Sequence, residues 1–296
     1  MHLGDTMVTP GCAVFGLSTL ALGAGAAYLL HRKQKHQTPQ PMRFALGTAA
    51  VFAMQTFNVT VIPDASSGHL IGGYLLASWF GPLYALLGLA MVLATQSLLF
   101  ADGGLAMWGL NSVLMGVIPG VLVFSLVKQF AGKKSDTMLA RAAGSWLSVF
   151  GAGLFCSLCV MSRPEAREQA VTWMSTMVGV HALIGIVEAI VTVSLLTAVE
   201  RIAKLNWSMT MQTAVSCIAM AGIVIAASFG ASPYPDGLEY SLEHLGLTTA
   251  TIENTIALWP DYSSLVGTLM GNLILLSTAA AVVFVLSSLT SKKVSD

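Results

Sequence analysis

VTWMSTMVGVHALIGIVEAIVTVSLLTAV, residues 171–199, is an apolar run whose only ionisable side chains are His181 and Glu188. About 20 apolar residues in a helix are enough to cross the roughly 30 Å hydrocarbon core of a bilayer, so the run reads as a membrane-spanning helix. Seven residues separate His181 from Glu188, which puts both on a similar helical face. An ionisable group at membrane depth is costly, and is retained as a relay, a ligand or an internal hydrogen-bonded brace. For Glu188 the brace is the favoured reading.

Similar runs recur through the 296 residues, of which 55% are hydrophobic and only 9% charged. With a mean hydropathy of +0.76, the balance excludes a soluble domain, which carries about 25% charged residues. The expected fold is all-α, a polytopic transmembrane bundle of about nine helices near 10–30, 43–62, 66–81, 83–100, 105–128, 142–161, 171–199, 208–229 and 263–288. The third is short and rich in glycine (Gly68, Gly72, Gly73), contains His69, and stops at Gly81-Pro82, so a partly irregular segment lining a cavity is expected there.

Nine spans put the termini on opposite sides, and the positive-inside rule sets the amino terminus outside and the carboxy terminus inside. Arg32, Lys33, Lys35, Arg43, Lys128, Lys133, Lys134, Arg141, Arg201, Lys204, Lys292 and Lys293 then fall inside, leaving Arg163 and Arg167 outside. The outer loops are acidic (Asp5, Asp64, Asp102, Glu165, Glu168, Asp236, Glu239, Glu243, Glu253, Asp261), a distribution that concentrates cations at an entrance. Met1–Thr9 lacks a basic segment before an apolar one, so no cleaved signal is expected and Met1-His2 should persist on the outer side.

That dipeptide is chemically distinctive. The α-amine of Met1, the amide nitrogen of His2 and its Nδ1 can close fused five- and six-membered chelate rings around one ion. A further imidazole completes a planar four-nitrogen set, which suits Ni(II) or Cu(II) better than tetrahedral zinc. His69 in Ser67-Gly68-His69-Leu70 is the candidate. Gln55, Asn58, Ser66, Ser67 and Asn111 are polar groups available to orient these ligands, and His181 and Glu188 join them as second-shell or bracing candidates.

Met1-His2-Leu3-Gly4-Asp5 resembles the MHIPDG start of the CbiM/NikM family, the cobalt and nickel substrate-binding subunits of energy-coupling-factor transporters. The stretches Gln55–Asn58, Ser67–Gly73, Gln96–Gly104 and His181–Ala189 are similar to the same family, in the same order, over about the first 200 residues. The chain departs at Gly4 and Thr6, where the family has proline and glycine. The resemblance implies metal ligands at Met1, His2 and His69. It also implies a separate transmembrane coupling subunit, cytoplasmic ATP-binding subunits, and a multi-pass location in a prokaryotic cytoplasmic (inner) membrane. Ser232-Pro233-Tyr234-Pro235-Asp236-Gly237-Leu238-Glu239 looks like the PDGLE module that accompanies such transporters. Residues 1–204 are therefore expected to form the metal-binding membrane domain, and 205–296 an accessory module with two helices and an external loop.

The chain has no phosphate-binding G-x-x-x-x-G-K-[ST] motif, so it is expected not to be an enzyme, and energy must come from other subunits. Ni(II) or Co(II) is the expected cargo, with no organic cofactor and no nucleic-acid partner. Two rivals are a self-sufficient permease and an intramembrane thiol redox enzyme built on Cys156-Ser-Leu-Cys159.

Overall fold

The computed structural model describes residues 1–34, 38–205, 232 and 234–247, with isolated positions between 207 and 222. The expected helices at 208–229 and 263–288, and the nine-helix count that depends on them, lie outside the described residues. Within them, five helical segments are long and apolar enough to cross a membrane: Gly11–Lys33, Gly73–Phe100, Trp108–Lys134, Met138–Val160 and Ala170–Ala203. The chain is a multi-pass membrane protein with an all-α bundle.

Helix α1 (Gly11–Gln34) leads to α2 (Pro41–Gln55), which at 15 residues is shorter than the expected 43–62 span. The difference lies in local chemistry. Val59-Thr60-Val61-Ile62 is a β-branched run, and it forms strand β1 (Val59–Ile62), paired antiparallel with β2 (Ser66–Gly68). Pro63-Asp64 makes the turn, with the Ala65 N–H donating to the Ile62 carbonyl and Asp64 at φ 58°. The hairpin is a correction to the purely helical reading of 43–81.

After β2 the chain runs irregularly through His69–Gly72, then enters α3 (Gly73–Phe100), which is broken at Gly81 (φ 81°, ψ 168°) before Pro82. Phe80 packs on Phe44, and Tyr84 packs on both Phe44 and His31, at the far end of α1 from Met1. The first limb of α3 therefore leads away from the amino terminus, and the second returns to it and delivers Asp102 beside His2. Two limbs separated at Gly81-Pro82 match the expected division of 66–81 from 83–100, with 66–72 non-helical.

The next span is α4 (Trp108–Ser112), a π-helical stretch at Val113–Val123 containing Pro119, and α5 (Phe124–Ala131). Gly73 lies against this stretch, where a Cβ would stand 2.4 Å from the Met115 carbonyl. Two helices, α6 (Met138–Val160) and α8 (Ala170–Ala203), pack against each other, linked by the short α7 (Pro164–Glu168). A last helix, α9 (Gly237–His244), packs on α8 and β2. Arg141 pairs with Glu200, and Lys128 with Asp136 at 2.8 Å, at the end of the bundle opposite Met1.

Candidate metal centre

The amino-terminal arm is folded into the bundle rather than left in solvent: Met1 is 4% exposed and Leu3 is fully buried. Asn111 holds it as a strand partner would, accepting from the Leu3 N–H at 2.9 Å and donating to the Leu3 carbonyl at 3.1 Å. The Gly104 N–H donates to the same carbonyl at 2.9 Å. Asp5 then accepts from the Ala106 and Met107 N–H groups at 3.1 and 3.2 Å, near the start of α4. The backbone on either side of His2 is fixed by these contacts.

The Met1 amine reaches His69 Nε2, and the rings of His2 and His69 stack with centroids 4.8 Å apart and planes 20° from parallel. Nδ1 of His69 donates to the Leu70 carbonyl at 3.1 Å, which fixes the tautomer and leaves the Nε2 lone pair facing the amine. This orienting partner is a backbone carbonyl, not one of the polar side chains considered from sequence. Nδ1 of His2 stands 3.2 Å from Asp102 Oδ1, and among the described residues its Nε2 has no hydrogen-bond partner. Closing a chelate through Nδ1 therefore requires His2 to give up Asp102.

Burial first, and then the adjacent Met1 ammonium, push both imidazoles down to a pKa of about 3. Both rings are thus neutral at physiological pH, the form that ligates a metal. Asp236 enters the same place from the C-terminal segment. Its Oδ2 accepts from the Met1 amine at 2.7 Å and lies 3.8 Å from His69 Nε2. Burial is the largest single influence on Asp236 and opposes its ionisation, but the Met1 ammonium, His69 and the hydrogen bonds from the Met1 amine and the Glu239 N–H together outweigh it and hold the carboxyl well below the usual carboxylate range. The charge of Asp236, with burial second, in turn pushes Glu239 up.

The remaining sequence candidates are scaffold contacts. Glu188 accepts from the Ile71 and Gly72 N–H groups at 2.6 and 2.7 Å, and Gln55 Nε2 donates to the Ile71 carbonyl at 2.8 Å. Together they satisfy the irregular backbone that carries His69, which apolar surroundings would otherwise penalise. Ser67 donates through its N–H and Oγ to the Pro235 and Tyr234 carbonyls, and the Asn58 carbonyl accepts from the Ser232 N–H. Both therefore hold the C-terminal loop rather than a ligand. Ser66 Oγ donates to the Ser67 carbonyl at 3.3 Å. His181 Nδ1 donates to Met177, and the ring lines a cavity of about 10 Å³ together with Met1, His69, Ile184 and Asp236.

Among the described residues, no group of three or more His, Cys, Asp or Glu side chains is arranged to hold an ion. Backbone nitrogens at the amino terminus are what make a candidate donor set here. Sequence reading missed Asp236 and Asp102 as neighbours of these nitrogens. The signal available for Asp236 was its D-x-x-E spacing: Asp236 caps α9 and Glu239 reaches back to the Asp236 N–H.

Residues 2–206 match the family model for the cobalt uptake substrate-specific transmembrane region. A putative fused nickel transport protein NikMN of Archaeoglobus fulgidus is 30% identical over 289 residues, covering 89% of this chain and 88% of the relative. A cobalt transport protein CbiM of Lachnoclostridium phytofermentans is 24% identical, covering 69% of this chain and 84% of its own. A crystal structure of a truncated transition metal transporter superposes with a TM-score of 0.57 at 25% identity, covering 68% of this chain and 99% of that one.

Proposed function

This chain belongs to the cobalt uptake substrate-specific transmembrane family, and from that premise we propose that it is the substrate-binding subunit of an ATP-driven importer of divalent nickel or cobalt. Met1, His2 and His69 hold the ion through the amine, the His2 amide nitrogen and Nδ1, and His69 Nε2. The observation that carries this reading is the contact of the Met1 amine with His69 Nε2 beside the stacked ring of His2, all within a buried pocket. Neutral imidazoles and a planar nitrogen set favour nickel on ligand-field grounds, with cobalt in the same class.

The ion enters from the side that carries Met1, loses water, and displaces a proton from the amine and another from the His2 amide. His2 turns from Asp102 as it binds. Residues 205–296 act as the accessory module, with the loop before α9 seated on the hairpin. The basic residues at the opposite end of the bundle support an outside amino terminus. Separate coupling and ATP-binding subunits supply the energy. Cys156 and Cys159 are free thiols within α6, and Cys156 is fully buried, which favours a packing role.

The test is nickel and cobalt binding to the purified chain, compared with a variant carrying one extra residue before Met1. Binding of about one ion by the native chain and none by the extended form supports the terminal chelate. Equal binding by both refutes it.

A further inference from the structure

With the His2 amide deprotonated, the four nitrogens carry one negative charge and leave a divalent ion only half compensated, in a pocket where Met1 and His69 are buried. Burying an uncompensated charge is expensive. Either the ion carries an anion in with it, or the protein supplies negative charge at fixed positions. The described structure has such a charge from an unexpected part of the chain. Asp236, about 170 residues beyond His69 in sequence, places Oδ2 2.7 Å from the Met1 nitrogen and 3.8 Å from His69 Nε2, with its side chain 13% exposed.

We propose that Asp236 is a residue of the ion site itself, supplying from the C-terminal segment the negative charge that the nitrogen set lacks. The inference rests on the terminal-chelate reading above and adds to it a residue from outside the family-matched region 2–206.

The placement of Asp236 does not depend on an ion. Its Oδ1 accepts from the Leu238 and Glu239 N–H groups at 2.8 and 2.9 Å, so capping α9 fixes the carboxylate and leaves Oδ2 directed at the amine. The preceding loop is clamped to the hairpin. The Ser67 N–H donates to the Pro235 carbonyl at 2.8 Å, the Tyr234 hydroxyl donates to Asp64 at 2.8 Å, and the Ser232 N–H donates to the Asn58 carbonyl at 2.9 Å. A carboxylate held this way loses little freedom when an ion arrives, which is the condition for a preorganised site. The adjoining cavity of about 10 Å³ has room for about one water, so little solvent screens the interaction.

A consequence is reciprocal coupling between ion and loop. A divalent ion in place of the ammonium attracts Oδ2 more strongly, so loading seats the loop more firmly, and a seated loop raises the affinity for the ion. The accessory segment then acts by completing the site as well as by docking beside it.

The variant Asp236→Asn keeps an oxygen to cap α9 and removes the charge. Glu239→Gln neutralises the neighbouring carboxylate and leaves Asp236 in place. Both are made in the full chain and titrated with Ni²⁺ and Ag⁺. Losing one partner of a buried charge pair predicts Ni²⁺ binding about 30-fold weaker for Asp236→Asn and within about threefold of wild type for Glu239→Gln. Because Coulomb attraction scales with ionic charge, Ag⁺ binding should fall by no more than about sixfold, whereas a collapsed loop would weaken both ions alike. On the wild-type chain, Ni²⁺ should slow amide exchange over residues 234–245, a measurement that holds even if the variant fails to fold. Unchanged Ni²⁺ affinity in Asp236→Asn, equal losses for the two ions, or no protection of 234–245 overturns the inference while the terminal chelate stands. A wild-type chain that binds no Ni²⁺ overturns both.

Discussion

Replacing Glu188 by Gln tests whether this intramembrane carboxylate is a brace or a relay. Glu188 accepts two backbone N–H groups, from Ile71 at 2.6 Å and Gly72 at 2.7 Å, and is 1% exposed. A glutamine presents one acceptor to this pair of donors, and its amide group then faces the second N–H donor to donor. Hydrogen bonds to a charged group contribute about 1.5–3 kcal/mol, and an unsatisfied buried donor costs about 1–3 kcal/mol. Removing the buried charge offsets part of this, which leaves a net loss of about 3 kcal/mol. At roughly 2–4 °C per kcal/mol, the apparent Tm of the detergent-solubilised protein should fall by about 10 °C, with a lower yield of monodisperse protein. The material that remains folded should bind nickel less tightly, because Ile71–Gly72 fixes the chain that carries His69. A Tm within about 2 °C of wild type, combined with lost transport, would refute the brace and return Glu188 to a role in moving ions or protons.

Asn111→Ala frees the Leu3 backbone from both of its side-chain bonds; nickel affinity should drop about tenfold or more in titrations while the bundle still folds. Gly73→Ala would put a Cβ 2.4 Å from the Met115 carbonyl and 2.6 Å from Pro119 Cγ, so folded yield should collapse, whereas Gly25→Ala, with nothing among the described residues within 4 Å, should express normally. Stability should also depend on pH through His2 and His69, whose pKa values of about 3 lie below the ordinary 6.5. The unfolded chain then takes up more protons, so this stability is complete above about pH 6.5 and drains as pH falls toward 3, by about 1.4 kcal/mol per unit for each ring. Unfolding measured at pH 7 and pH 5 should show that slope in the metal-free chain, and a His2→Ala/His69→Ala variant should flatten it.

Much of this protein is legible in sequence because a bilayer permits few solutions. Every apolar run of about 20 residues must satisfy its backbone internally, so 171–199 could be read as a helix without knowing what packs on it. The proposed Met1-His2 chelate is equally local, since its donors would sit on adjacent residues. The segment from 43 to 81 was harder to read, because a β-branched run at 59–62 and a hydropathic helix compete there. The outcome depended on Pro63-Asp64 and on Gln55 and Glu188 satisfying the non-helical stretch that follows.

Sequence by itself determined the class of protein, the candidate nitrogen donors and the weakness of the third span, all properties of residues close together along the chain. Only tertiary structure decided which partners those residues meet. It set the Leu70 carbonyl on His69, Asn111 on Leu3, Asp102 on His2, and Asp236 on the Met1 amine across 235 positions of sequence. A carboxylate in a loop carries the same local signal whether it is solvated or seated against a buried ammonium. The difference lies in desolvation and in the charges nearby, and both exist only once distant segments have packed together.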